Sequence, residues 1–179
     1  MNHLMLDLET LGKKPSAPIL TIGAVLFNPH SGELGEQFYT AIDLQSVLAG
    51  KATPDADTII WWMKQSSEAR AAICVDGAPS LLSALYDLNK FIRANVANPH
   101  SLRVWGNGAV FDNVILRECV PLPWEWYNDR DVRTIVELGR VVGFDPKRDM
   151  PFDGDRHNAL ADAIHQAKYV SAIFQCLLR

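Results

Sequence analysis

Met5-Leu6-Asp7-Leu8-Glu9-Thr10, inside an apolar segment that begins at His3, is the stretch that decides both fold and chemistry. His3 to Leu8 reads as a strand. On a strand, residues two apart share a face, so Asp7 and Glu9 project side by side from what should be a central strand. Adjacent carboxylates repel and cost stability unless a cation sits between them. Hard divalent ions such as Mg²⁺ and Mn²⁺ prefer such oxygen ligands. A strand with one solvated face shows the same D-x-E spacing, so this stretch needs partners elsewhere in the chain.

Outward from it, Ile19 to Phe27 and Gln37 to Ile42 read as two further strands, separated by Gly12, Pro15, Pro18 and the Asn28 to Gly32 turn cluster. With His3 to Leu8 they form most simply an antiparallel meander. The period then changes. Asp57 to Gln65, Ser66 to Ile73 and Ser80 to Val96 are helical, the last carrying Leu81, Leu82, Leu85, Leu88, Phe91 and Ile92 at helical spacing. Leu102 to Trp105 is a short strand that ends in Gly106-Asn107-Gly108, followed by a helix from Phe111 to Cys119 and a loop from Pro121 to Trp126. Arg130 to Thr134 reads as a last short strand and Ile135 to Val142 as a helix stopped by Gly143. A polar loop, Asp145 to Asp155, precedes a final helix from about Asn158 to Leu177. The predicted fold is α/β, a mixed sheet of three antiparallel strands plus parallel strands, flanked by helices.

No linker or internal repeat divides residues 1–179, so one domain is expected. With 48% hydrophobic and 21% charged residues the chain has the composition of a globular protein, which excludes disordered, collagen-like and coiled-coil classes. The net charge of −4 argues against a protein that coats nucleic acid through basic excess. Cys74, Cys119 and Cys176 show no zinc-binding spacing and read as free thiols in a reducing, cytoplasmic setting. Neither a signal peptide nor a membrane-spanning run is evident.

Two more constellations complete the pattern. Gly106-Asn107-Gly108-Ala109-Val110-Phe111-Asp112 lies at a strand-to-helix junction. Read as a dinucleotide loop it fails at the third glycine, because Phe111 stands where close helix–strand packing is needed. Read otherwise, Asp112 points back to the sheet edge that carries Asp7 and Glu9, although an acid at a helix N-terminus is also favoured simply by the dipole. At the mouth of the last helix, Arg156-His157-Asn158-Ala159-Leu160-Ala161-Asp162 places Asp162 beside the apolar stripe, facing inward. A buried carboxylate needs a partner. His157, five positions earlier, reaches Asp162 only if it precedes the helix and swings over the site.

In order and spacing, Asp7-x-Glu9, Phe111-Asp112 and His157-x-Ala159-x-x-Asp162 resemble the three motifs of the DEDDh exonucleases, the DnaQ-like superfamily with an RNase H-like core. The context WGNGAVFDN, RDVRT and RHNALADAIHQA is similar to bacteriophage and prophage 3′→5′ exonucleases, and Asn158, four before Asp162, disfavours the tyrosine branch. The resemblance implies a metal-dependent 3′→5′ exonuclease of single-stranded DNA or RNA that releases nucleoside 5′-monophosphates. It implies that Asp7, Glu9, Asp112 and Asp162 hold two Mg²⁺ or Mn²⁺ ions about 4 Å apart, with His157 as general base toward the attacking water. Thr10 and Leu11 would pack on the terminal nucleotide, Asn107 would contact its sugar or a phosphate, and Trp62 of the Trp61-Trp62 pair would stack on a base. Arg156, with Arg130, Arg133, Lys13 and Lys14, is a candidate phosphate contact. Many relatives are dimers, and Pro121 to Trp126 is the candidate contact for a homodimer. Competing readings are a catalytically silent nucleic-acid-binding module of the same fold and a nucleotide-binding oxidoreductase built on the Gly106 turn.

Overall fold

The computed structural model describes residues 1–154 and 156–178. Among these residues, β1 (His3–Thr10), β2 (Ile19–Phe27), β3 (Leu34–Ala41), β4 (Arg103–Gly106) and β5 (Asp129–Asp131) form one sheet in the order β3-β2-β1-β4-β5. β1 is antiparallel to β2, and β2 to β3, whereas β4 runs parallel to β1 and β5 parallel to β4. The mixed sheet flanked by helices is therefore the RNase H-like arrangement, with β1 at its centre.

The helices are α1 (Leu44–Leu48), α2 (Ala56–Met63), α3 (Ser67–Ile73), α4 (Leu81–Asn95), α5 (Asp112–Cys119), α6 (Val132–Val141), α7 (Pro146–Asp149) and α8 (Ala159–Leu177). Alternation along β1 sorts them into two layers. Leu4, Leu6 and Leu8 pack with Leu85, Leu88 and Ile92 of α4 and Ile115 of α5 on one side. Met5 packs with Val136 of α6 and Ala163, Ala167 and Val170 of α8 on the other. Asp7 and Glu9 share the parity of Met5 and so belong to the α8 face, at the end of the strand where that face opens.

Several boundaries differ from the sequence reading for local reasons. The strand expected over Arg130 to Thr134 is only Asp129–Asp131, because the Asp131 side chain accepts the Thr134 N–H at 2.9 Å and starts α6 at once. β3 begins earlier, at Leu34, which pairs with Phe27 across an irregularity in the ladder. Within the expected Asp145 to Asp155 loop, Pro146 opens the single turn α7; Asp155 itself lies outside the described residues. α1 follows the Asp43 cap and was not read from its five residues. Cys74 is exposed, and Cys119 and Cys176 are half-buried, all as free thiols. Among the described residues no helix is long and apolar enough to cross a membrane.

Candidate active site

β1 and α8 meet beside Asp7, and a glycine makes the meeting possible. Asp7 is paired across the sheet with Gly23 of β2. A Cβ at Gly23 would lie 2.1 Å from the backbone carbon of Ala159, so the first turn of α8 rests directly on the strand. Asn158 caps that turn by accepting the Leu160 and Ala161 N–H groups, and Asp162 follows one turn later. Asp7, Glu9 and Asp162 each offer a carboxylate oxygen, and the three oxygens lie within 4.8 Å of one another.

Asp112 borders this trio from α5. A Cβ at Gly106 would stand 3.1 Å from Asp112 Oδ2 and 2.9 Å from Asn113 Oδ1, so a side chain there would push the start of α5 away. Asp112 is 3% exposed, and its Oδ1 accepts the Leu8 N–H at 3.2 Å, which ties it to β1 between Asp7 and Glu9. Its oxygens do not join the three that converge most closely.

Crowding of one buried and three half-buried acids dominates the electrostatics. Burial, followed by the neighbouring charges of Asp112, Glu9 and Asp162, holds the Asp7 carboxyl well above the ordinary range, against a hydrogen bond from Gln166. Burial, Asp162 and Asp112 push Glu9 up to about 8. Burial raises Asp112 to about 7, opposed by the Leu8 N–H. Burial also raises Asp162, although the His157 N–H favours its charged form. Such a set is stable as carboxylates only with positive charge among them. The donors are all oxygen and include two acids from one strand face, which fits a hard divalent cation.

His157 joins the site through its backbone. It has φ +64°, the left-handed conformation that non-glycine residues rarely adopt, immediately before the Asn158 cap. That turn aims the His157 N–H at Asp162 Oδ2, 3.0 Å away, and brings together two residues whose helical spacing alone would separate them. The imidazole packs edge-on to Trp61, with centroids 4.9 Å apart and planes at 86°, and lies 6.4 Å from Trp62.

Next to Glu9 opens a pocket of about 390 Å³ lined by Thr10, Thr58, Trp61, Trp62 and Phe111, within the size range of small-ligand sites. A cavity of about 440 Å³, lined by residues such as Ala17, Val47, Leu81 and Cys119, contains none of the four acids. Trp62 is 3% exposed and its indole N–H donates to the Thr10 carbonyl at 2.9 Å, so it is a fixed wall of the smaller pocket. Thr10 lines the pocket, but its hydroxyl donates to the Gly12 carbonyl. Leu11 packs instead with Leu20, Trp62 and Ala69. Asn107 lies in the turn after β4 with its Oδ1 buried and unpartnered. Arg156 is exposed over the Phe152 ring. Neither Leu11, Asn107 nor Arg156 is among the residues lining the pocket.

Two neighbours escaped the sequence reading. Gln166 Nε2 donates to Asp7 Oδ1 at 2.7 Å; its place four residues after Asp162, one turn along the same helix face, was the available signal. Thr58, at the same spacing before Trp62, is buried with its hydroxyl unpartnered.

Residues 2–174 match the family profile of the 3'-5' exoribonuclease Rv2179c-like domain. An exodeoxyribonuclease of Enterobacteria phage T4 is 27% identical over 169 residues, covering 79% of this chain and 74% of the phage protein. Among solved structures, the nuclease domain of 3'hExo, a DEDDh family member bound to rAMP, superposes with a TM-score of 0.63 at 14% identity, over 97% of this chain and 92% of that one. Exonuclease X in complex with 5' overhanging duplex DNA gives a TM-score of 0.54 at 16% identity, over 97% and 92%. At these identities the likeness to the solved structures is one of fold.

Proposed function

We propose that this chain, which belongs to the 3'-5' exoribonuclease Rv2179c-like domain family and is a 3′→5′ exonuclease, is of the DEDDh type and removes nucleoside 5′-monophosphates one at a time from the free 3′ end of single-stranded DNA or RNA. The observation that carries this reading is the convergence of Asp7, Glu9 and Asp162, with the His157 N–H on Asp162. Divalent metal dependence is a property the family implies. In our reading Asp7, Glu9, Asp112 and Asp162 hold two ions, Mg²⁺ or Mn²⁺, which when bound supply the positive charge that a phosphodiester requires among four carboxylates.

The chain's own residues then do the following. The pocket beside Glu9 takes the terminal nucleoside between Trp61 and Phe111, with Trp62 as its fixed wall. This directs the scissile phosphate toward the acids. His157 accepts a proton from the attacking water as the new O–P bond forms. The bond from phosphorus to the O3′ of the preceding nucleotide breaks, and that oxygen takes a proton from solvent. The terminal nucleotide leaves with its 5′ phosphate. Residues 1–179 act as one exonuclease domain, cytoplasmic in setting, and a homodimer through the Pro121 to Trp126 stretch is part of the same proposal.

Degradation of matched 3′-ended DNA and RNA oligomers, with Mg²⁺ or Mn²⁺ and with EDTA, tests this directly. Asp7→Ala and Asp162→Ala should abolish nucleotide release while the far-ultraviolet circular dichroism stays unchanged. His157→Ala should lower turnover by roughly 10²–10⁴-fold with metal affinity retained. Full activity in all three variants overturns the assignment. A folded but inactive wild type, with both ions on every substrate, would favour the silent binding module.

A further inference from the structure

The Trp61 indole has two neighbours that belong to different tasks. One of its surroundings is the pocket beside Glu9. The other is the His157 imidazole, met edge-on at 4.9 Å. Trp61 is 40% exposed, so its ring is free to meet a ligand, yet it is braced from behind by Trp62, at 5.1 Å and 80°. Trp62 in turn is fixed by its N–H bond to the Thr10 carbonyl at the end of β1. His157 also has its ring 6.4 Å from the Trp62 ring. Its backbone is set by the left-handed turn and the bond to Asp162, and among the described residues its ring makes no hydrogen bond.

We propose that Trp61 is a positioning residue that couples occupancy of the nucleoside pocket to the placement of the His157 ring. A base entering the pocket packs on the indole and limits its rotation. The indole then limits the rotation of the imidazole beside it. Edge-to-face aromatic pairs attract beyond the area they bury, which biases a side chain that makes no hydrogen bond of its own among the described residues. A 3′ end without a base therefore enters the site with the general base less well ordered. This inference rests on the proposed role of His157, and its test separates the two.

The experiment compares single-turnover kcat and KM for two oligomers of one sequence, one ending in an ordinary nucleotide and one in an abasic sugar phosphate. Wild type should lose kcat, not only affinity, on the abasic end. Trp61→Ala should lose about 10–10² in kcat on the ordinary end, the scale of a small misplacement of a reacting group, and show no additional kcat loss on the abasic one. Trp61→Phe, which keeps a ring, should recover most of the kcat, and both variants should melt within a few degrees of wild type because the indole is half-exposed. In protein carrying ¹³C-labelled histidine, the His157 ring signals should shift on addition of AMP or dAMP with Mg²⁺, and should not in Trp61→Ala. The proposal is overturned if Trp61→Ala raises KM alone, or if the abasic loss in kcat is the same with and without the indole. If His157→Ala keeps wild-type kcat, the general-base reading itself falls; if His157→Ala is impaired and Trp61→Ala is not, only the coupling does.

Discussion

Gln166 donates to Asp7 Oδ1 through a 2.7 Å bond, on a carboxylate that also offers an oxygen to the cluster with Glu9 and Asp162. Partners that orient a ligating carboxylate commonly carry 10–100-fold in metal affinity. Gln166→Leu should therefore weaken Mn²⁺ binding by about 10-fold or more in an electron paramagnetic resonance titration, and excess Mn²⁺ should restore activity; unchanged affinity would deny Gln166 this role. The raised carboxyls also set the pH dependence of the metal-free protein. Glu9 reaches about 8 and Asp112 about 7 in the folded state, against about 4 in the unfolded chain. Between those values the unfolded chain has released protons that the folded protein retains, so stability falls as pH rises from about 4 to 8. In EDTA the melting temperature should decline across that window, Glu9→Gln should flatten the decline, and Mg²⁺ should raise the melting temperature more at pH 8 than at pH 5. A metal-free melting temperature that rises between pH 5 and 8 would contradict this. At this scale the expectation that Asp7, Glu9, Asp112, His157 and Asp162 share a site came from the three motifs taken together, through their resemblance to the DEDDh family, and of the four acids the structure brings Asp7, Glu9 and Asp162 closest. Gln166 and Thr58 were not legible, since their significance lies in which buried atoms they face.

Among the elements, β1 and α8 were readable from apolar patterning alone, and their bounds differ from the sequence reading by two residues or fewer. The short pieces were harder: β5 has three residues and α7 four, so neither offers a period. A strand was expected near β5 with other bounds, and pairing with β4 sets the observed ones, whereas α7 is a single turn started by Pro146. The close seat of α8 on β2 was equally invisible, because Gly23 in an apolar strand reads as a weak point. It is the reverse, since only a glycine admits the Ala159 backbone there. Gly23→Ala must move α8 or distort β2, an overpacking cost of about 1–3 kcal/mol, which at roughly 2–4 °C per kcal/mol lowers the melting temperature by several degrees. Because the shift would carry Asp162 away from Asp7, Mn²⁺ affinity should fall as well. A variant as stable as wild type, with the same affinity, would show that the sheet and helix can separate without consequence.

Over the whole molecule, the net charge of −4 takes on a local meaning. Four acids gathered beside one strand end make the site hostile to a phosphate until cations are bound, so nucleic acid and metal are expected to load together. The acids also come from distant parts of the chain: residues 7 and 9 on the central strand, residue 112 at the start of α5, and residue 162 on the helix that closes the fold. Synthesis delivers them in that order. A ribosome-bound chain that has emerged only as far as α6 carries the strand acids without the helix that completes them. In our reading of these acids, a nuclease made beside its own messenger would stay harmless until α8 has been translated.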